Sequence, residues 1–282
     1  MTNNKINQQR VGLGLRREML DEFCQAVPNE INFFEVAPEN WMTLGGKFGR
    51  QFRALTEKHE CFCHGLSLSI GSPEPLDLTF VRNVKSFLDL HQISTYSEHL
   101  SYCSGRGHMY DLMPIPFTTE AVMHVAQRVK QVEDILERPL ILENVSFYAA
   151  PGADMSELEF VNAVMQEADC KMLLDVNNIY VNSVNHNYDA IEFLKAMPTN
   201  RIAYLHIAGH YEEAEDLIVD THGADIIDPV WQLLDVCYQT HGVFPTLLER
   251  DFNIPSTDEL LLEINQIHDY QKRHLASVKR SA

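Results

Sequence analysis

The fold that this sequence predicts is α/β, a single eight-stranded (β/α)8 barrel, and three observations predict it. Short β-rich runs alternate with longer helical stretches along the chain. The β-rich runs number eight, the strand count of a barrel in which a helix follows each strand. No low-complexity segment or Pro/Gly-rich linker divides the 282 residues, a length that one barrel of about 250 residues nearly fills.

Taken in order, the runs are VGLGL (11–15), INFFEVA (31–37), CFCHGLSLS (61–69), STYSEHL (94–100), LILENV (140–145), KMLLDVN (171–177), IAYLHIA (202–208) and TLLERD (246–251). The clearest helix is TTEAVMHVAQRVKQVEDILE (118–137). It opens on a capping-box-like Thr118/Thr119 and repeats Val122, Val125, Val129, Val132 and Leu136 at the spacing of one buried face. Residues 155–168 and 228–242 read the same way, the latter closing on a C-cap glycine. A doubly wound sheet is the competing architecture, but GLGLRR lacks the third glycine of its phosphate turn. Residues 1–10 are expected to be a flexible N-terminus, 11–275 the barrel and 276–282 a flexible tail.

Composition excludes several function classes. With 22 basic and 40 acidic residues the formal charge is −18, which opposes binding to nucleic acid and to anionic membranes. The N-terminus has no apolar signal region, and nowhere do about 18 apolar residues run together. The six cysteines form no CxxC pair. Together these point to a cytoplasmic protein with reduced thiols. Cys61 and Cys63 share one strand face, and Cys63 should point away from His64 as a buried hydrophobe.

Barrel enzymes carry their sites at the C-terminal strand ends. Those ends here hold Glu35 and Glu39, His64, Glu98 and His99, Glu143 and Asn144, Asp175 with Asn177 and Asn178, His206 and His210, Asp220 and His222, then Glu249 and Asp251. Any one of these has an ordinary structural explanation, as a helix cap or a satisfied core histidine. So many carboxylates converging on one mouth would repel unless cations were present. Imidazole with carboxylate suits Zn, Fe or Mn, and four histidines with four carboxylates exceed the needs of one ion. Two or three ions bridged by carboxylates would use them all. In Asp220-Thr-His222, an extended segment would put both ligands on one side. The acidic stretch YEEAED (211–216) reads first as a solvated loop, with a lid or partner-docking surface as its functional alternative.

The ordered motifs GLGLR, FFEVAPENW, HGLSLSIG, SEHL, LENVS, LLDVNNIYVN, HIAGH, DTHG and LLERD resemble the multinuclear non-heme iron-dependent oxidative enzymes, the family of the methanobactin-biosynthesis protein MbnB, formerly a domain of unknown function. The resemblance covers residues 10–270. It implies a xylose-isomerase-like barrel with two or three irons (Fe2+/Fe3+), O2-dependent modification of cysteine in a ribosomally made precursor peptide, and a small leader-recognising partner protein. It implies as metal ligands His64, His99, Glu143, Asp175, His206, Asp220, His222 and Glu249, with Asn178 a further one and His210 near the substrate or behind a ligand. Asp251 falls in the same class as His210. Arg16, Glu35 and Glu39 lie near strand ends, where peptide contact and structural ion pairing are equally open. The alternatives are a divalent-metal sugar isomerase, a zinc endonuclease, which the charge disfavours, and a non-catalytic metal- or peptide-binding protein. An isomerase would need a strand-end lysine, and none is present, since Lys171 precedes its strand.

Overall fold

A computed structural model describes residues 9–281 except 106 and 151. Eight parallel strands close into a barrel in the order β1-β12-β9-β8-β7-β4-β3-β2. They are β1 (Val11–Gly14), β2 (Phe33–Val36), β3 (Cys61–Gly65), β4 (Tyr96–His99), β7 (Ile141–Glu143), β8 (Lys171–Asp175), β9 (Ile202–Ile207) and β12 (Thr246–Leu248). All eight runs identified in the sequence are barrel strands, each as long as its run or shorter. The remaining four strands make two antiparallel hairpins on the C-terminal side, β5 (Ser101–Ser104) with β6 (His108–Pro114) after β4, and β10 (Tyr211–Ala214) with β11 (Leu217–Val219) after β9. The acidic stretch expected to be a loop is thus the exposed first strand and turn of the second hairpin.

The outer layer is helical: α1 (Leu20–Phe23), α2 (Gly46–Thr56), α3 (Leu78–Leu90), α4 (Thr119–Leu136), α5 (Glu157–Ala168), α6 (Val176–His186), α7 (Ala190–Lys195), α8 (Asp228–His241) and α9 (Thr257–Ser281). Helix α4 buries the five residues of its predicted face. Its N-cap is Thr118 alone, whose side chain accepts from Ala121 N; N3 is an alanine, so there is no capping box. The true box belongs to Ser156 and Glu159 of α5. Gly242 ends α8 at φ 90, where a side chain would be strained. The boundary expected at residue 275 falls within α9; residues 1–8 of the expected N-terminal segment lie outside the described residues. Lys171 is the first residue of β8, at its N-terminal end, rather than preceding the strand.

Strand residues facing outward pack with the helices in one large core that contains Cys61 and Cys63, while inward residues form a smaller cluster inside the barrel. The six cysteines are free. At the N-terminal mouth the Arg10 guanidinium lies 5.3 Å from the Phe33 ring centre and pairs with Glu60. Gln271 of α9 donates there to the carbonyls of Arg10 and Phe244. Among the described residues no helix is long and apolar enough to cross a membrane.

Beneath the loop leaving β7, Asn182 of α6 accepts from Phe147 N and donates to Val145 O and Glu157 Oε1. Burial pushes the Glu157 carboxyl up to about 7, against the opposing effect of Asn182 and Tyr188. A carboxyl raised on folding stabilises below its unfolded pKa, and that stability is lost as pH rises through 7. Glu157 keeps partial exposure, so the full linkage is discounted. Glu157→Gln is expected to raise unfolding stability by about 1–2 kcal/mol at pH 8 and to leave it nearly unchanged at pH 5, as read by denaturant titration at the two pH values.

Candidate metal centre

Side chains alternate across a strand, so residues two apart share a face. Inside this barrel the lower layer is Phe33, Phe62, Ile141, Leu173, Tyr204 and Leu247, an apolar cluster. On β1 the corresponding place is Gly12, whose Cβ would stand 2.3 Å from the Phe33 ring, so no other residue fits there. Ser97 fills it on β4. Two residues further along come Glu35, His64, His99, Glu143, Asp175, His206 and Glu249. A layer of carboxylates and imidazoles therefore lies on an apolar floor, and all but His99 and Glu249 are buried.

This upper layer contains three groups of donor atoms, each compact enough to hold a metal ion: His64, His99 and Glu143; Glu143, Asp175 and His206; Asp175, His222 and Glu249. The groups are linked in series, since Glu143 belongs to the first and second and Asp175 to the second and third. In the first, His64 Nε2 and His99 Nε2 are 3.1 Å apart, and they lie 3.2 and 3.3 Å from Glu143 Oε2. In the second, His206 Nδ1 is 3.4 Å from Glu143 Oε1 and 3.8 Å from Asp175 Oδ2, with Glu249 Oε2 at 3.0 Å. Glu143 Oε2, Asp175 Oδ2, both ring nitrogens of His206 and His222 Nε2 are buried with no hydrogen-bond partner. Donor atoms that crowd together without hydrogen-bond geometry are what a shared cation leaves room for.

Three of the four imidazoles are held by their other nitrogen. His99 Nδ1 donates to Gly65 O (3.0 Å), His64 Nδ1 meets Ser97 Oγ (2.8 Å) and His222 Nδ1 meets Asp251 Oδ2 (3.3 Å); His206 Nε2 lies 2.8 Å from Glu35 Oε1 without hydrogen-bond geometry. This is how metal-binding histidines are oriented, by a partner behind the ring. Asp175 is also the N-cap of α6, where Oδ1 accepts from Asn178 N and Oδ2 stays free.

The electrostatics require positive charge. Burial and then Glu143 push Asp175 up to about 8. Burial would lower His64, but Glu143 and Glu35 lift it to about 9; Asp220 and Glu249 likewise lift His222 to about 10. His99, with no such excess of carboxylates, is lowered to about 4 by burial and by His64. Protons on imidazole thus stand where cations would balance the carboxylates.

The remaining sequence candidates take several places. Asp220 Oδ1 is 2.6 Å from His222 Nε2 and accepts from Asn177 Nδ2; Ser146 Oγ donates to its Oδ2. His222 itself adopts a left-handed backbone (φ 50), so the segment is not extended at that residue. Asn178 keeps a buried, unpartnered Oδ1 near Asp175. His210 is behind this group: its Nδ1 donates to Asn177 Oδ1 (2.8 Å). Asp251 stands between His222 and Arg16, with which it pairs. Glu39 clamps the loop after β3 by accepting from Leu66 N and Ser67 N. Glu35 is inside the upper layer, against His206. Sequence reasoning missed Ser97 and Tyr204, whose only signal is a hydroxyl in the floor position two residues before a histidine.

Comparison with known proteins places this geometry. The profile of a family described as RiPP precursor modification enzyme MbnB/TglH/ChrH matches residues 10–272. A protein of Shewanella sediminis, named only as a UPF0276 protein, is 78% identical over 98% of this chain and 99% of its own length. Among solved structures, a xylose isomerase-like TIM barrel protein from Mycobacterium smegmatis in complex with magnesium superposes with a TM-score of 0.60 at 10% identity, over 94% of this chain and 97% of that one. A xylose isomerase domain containing protein from Salmonella typhimurium gives 0.59 at 12%, over 96% and 98%. At such identities the likeness is one of fold.

The linked groups set a rank order for substitutions. Glu143→Gln and Asp175→Asn are expected to lower the metal bound per chain, measured by atomic emission, more than His99→Ala does, because each belongs to two groups. Cys63→Ala should leave metal content unchanged.

Proposed function

Because this chain belongs to the RiPP precursor modification enzymes of the MbnB/TglH/ChrH family, we propose that it is an O2-dependent multinuclear iron enzyme that oxidises cysteine in a ribosomally synthesised precursor peptide. The observation that carries this reading is the series of three donor groups joined through Glu143 and Asp175. The first, two histidines and a carboxylate, is the donor set typical of non-heme Fe(II), and no thiolate of the protein lies among the groups. Zn or Mn would fit the same donors. In this reading His64, His99 and Glu143 hold one ion, and His206, Glu143, Asp175 and Glu249 a second. His222, Asp220, Asp175 and Glu249 hold the third, with Asn178 beside it. Bound there, iron would supply O2 activation and the redox couple that passes the substrate's electrons to O2.

The chain's own contribution is orientation and access. The floor seals the layer from below, and a cavity of about 310 Å³ opens above it, lined by Arg16, Asn40, Leu66 and Phe252 as well as by His64 and Glu249. Leu66 and Phe252 are 41% and 64% exposed, which suits contact with peptide side chains flanking the cysteine. Arg16, tied to Asp251, lines both this cavity and the adjoining groove over Trp41. The peptide is delivered by a small leader-recognising partner protein, and the enzyme works in the cytoplasm, where its six thiols stay reduced. A sugar-isomerase reading lacks its lysine, because Lys171 sits at the opposite end of the barrel with Nζ on Asn200 O.

Protein purified from iron-supplemented cells is expected to contain iron and to consume O2 with a Cys-containing precursor peptide and its partner, changing the peptide's mass. Zinc alone with no O2 uptake would sink the oxidase assignment. Phe252→Ala should raise KM for the peptide several-fold while metal content stays at the wild-type level.

A further inference from the structure

The floor of the barrel is apolar except at Ser97 and Tyr204, and these two meet: Ser97 Oγ is 2.6 Å from Tyr204 Oη. Neither stops there. Ser97 Oγ also lies 2.8 Å from His64 Nδ1, and Tyr204 Oη donates to Glu35 Oε2 at 2.7 Å. Glu35 Oε1 in turn is 2.8 Å from His206 Nε2, but without the geometry of a hydrogen bond. Four side chains, His64 of β3, Ser97 of β4, Tyr204 of β9 and Glu35 of β2, thus form one hydrogen-bonded chain that ends beside His206, and each is at most 5% exposed.

Counting protons gives this chain a direction. A carboxylate only accepts, so the Tyr204 hydroxyl proton is committed to Glu35. Tyr204 Oη then accepts from Ser97 Oγ, since a 2.6 Å contact between two hydroxyls needs a proton and is much shorter than the 3.3 Å from Ser97 Oγ to its other acceptor, Cys63 O. With its own proton used, Ser97 Oγ accepts from His64 Nδ1–H, which leaves Nε2 facing His99 and Glu143. The tautomer of His64 follows from donor and acceptor logic rather than from observed hydrogens.

We propose that Ser97 and Tyr204 are positioning residues, a buried hydroxyl bridge across the barrel floor, anchored on Glu35, that makes His64 present Nε2 to the first donor group. The inference rests on reading the upper layer as a metal centre. It extends that reading to residues that touch neither metal nor substrate. The Tyr204 ring is packed independently of its hydroxyl, edge-on to Phe62 at 5.3 Å and to His206 at 5.5 Å. Tyr204→Phe therefore removes the bridge and keeps the packing.

The test uses Zn2+, which is diamagnetic, with protein labelled with 15N at histidine. In zinc-loaded wild type, 15N–1H spectra should show His64 protonated at Nδ1. Tyr204→Phe and Ser97→Ala should each weaken zinc binding, in competition with a chromophoric chelator, by about 10-fold, the scale of lost partners behind a ligand. They should also shift or broaden the His64 signals. The double variant should lose less than the product of the two, and Ser97→Thr, which retains Oγ, should restore affinity. Wild-type affinity in Tyr204→Phe, or reduced affinity with the His64 signals unchanged, would overturn the bridge. A wild-type protein that binds no zinc or iron would overturn the metal assignment itself, and the bridge with it.

Discussion

Everything at this site depends on the two-residue period of strands closed into a barrel. An open sheet would send alternate residues to two separate faces, each extending sideways. Closure brings the inward residues of eight strands onto one axis, so that equivalent positions stack in layers. The chain uses one layer as filler and the next as a ring of charge. Phe33 and Glu35, Phe62 and His64, Ile141 and Glu143, Leu173 and Asp175, Tyr204 and His206, Leu247 and Glu249 are six repetitions of one step, a lower core residue followed by a polar one. The floor excludes water from below, and the low polarity it creates strengthens every interaction in the layer above.

Such a ring is unstable without cations. Two carboxylates a few ångströms apart in a buried site cannot both stay ionised unless positive charge lies between them. The way in which the ring is braced is informative. His99, His64 and His222 are oriented by Gly65 O, Ser97 Oγ and Asp251, all behind the rings, while the front atoms of Glu143, Asp175 and His222 and both ring nitrogens of His206 lack partners. A core built for stability alone would satisfy those front atoms with neighbouring donors. Bracing from behind with the front left open is the arrangement of residues kept for a ligand.

The strand layer was legible in the sequence because its signal is local. A carboxylate or imidazole ending an apolar run needs only the run itself to be noticed, and each of the eight runs became a barrel strand. What could not be read depends on contacts distant in sequence. Whether Glu35 faces peptide or His206 is decided by β9, about 170 residues away, and Ser97 gains meaning only through Tyr204, 107 residues on. Glu39 was ambiguous for the same reason, since its carboxylate is committed to the loop after β3. The Asp220–His222 pair illustrates a local failure. The spacing alone predicts an extended segment, whereas His222 turns into the left-handed region, which histidine enters more readily than most non-glycine residues. The hairpins were missed because one lies in a stretch without clear alternation and the other in a run of charge.

That left-handed turn also separates the three donor groups by rigidity. The first and second are held by strand residues, whose backbones are fixed on both sides by ladder hydrogen bonds. The third takes His222, with Asp220 beside it, from the segment between β11 and α8. Tertiary clamps hold this segment: Arg250 reaches Asp225 and Glu263, Glu263 accepts from Ile226 N, and Asp251 N donates to His222 O. Gly209 lets it lie close, for a Cβ there would stand 2.1 Å from Ala224 O. A segment held by a few side-chain contacts opens more easily than a barrel strand. The donor series thus runs from a stiff end at His64 and His99 to a loop-borne end at His222, and the cavity bordered by Asp251 and Phe252 reaches it through strand-held His64 and through Glu249 at the end of β12. An arriving ligand therefore meets the fixed donors of the series, with His222 behind Glu249 and Asp251.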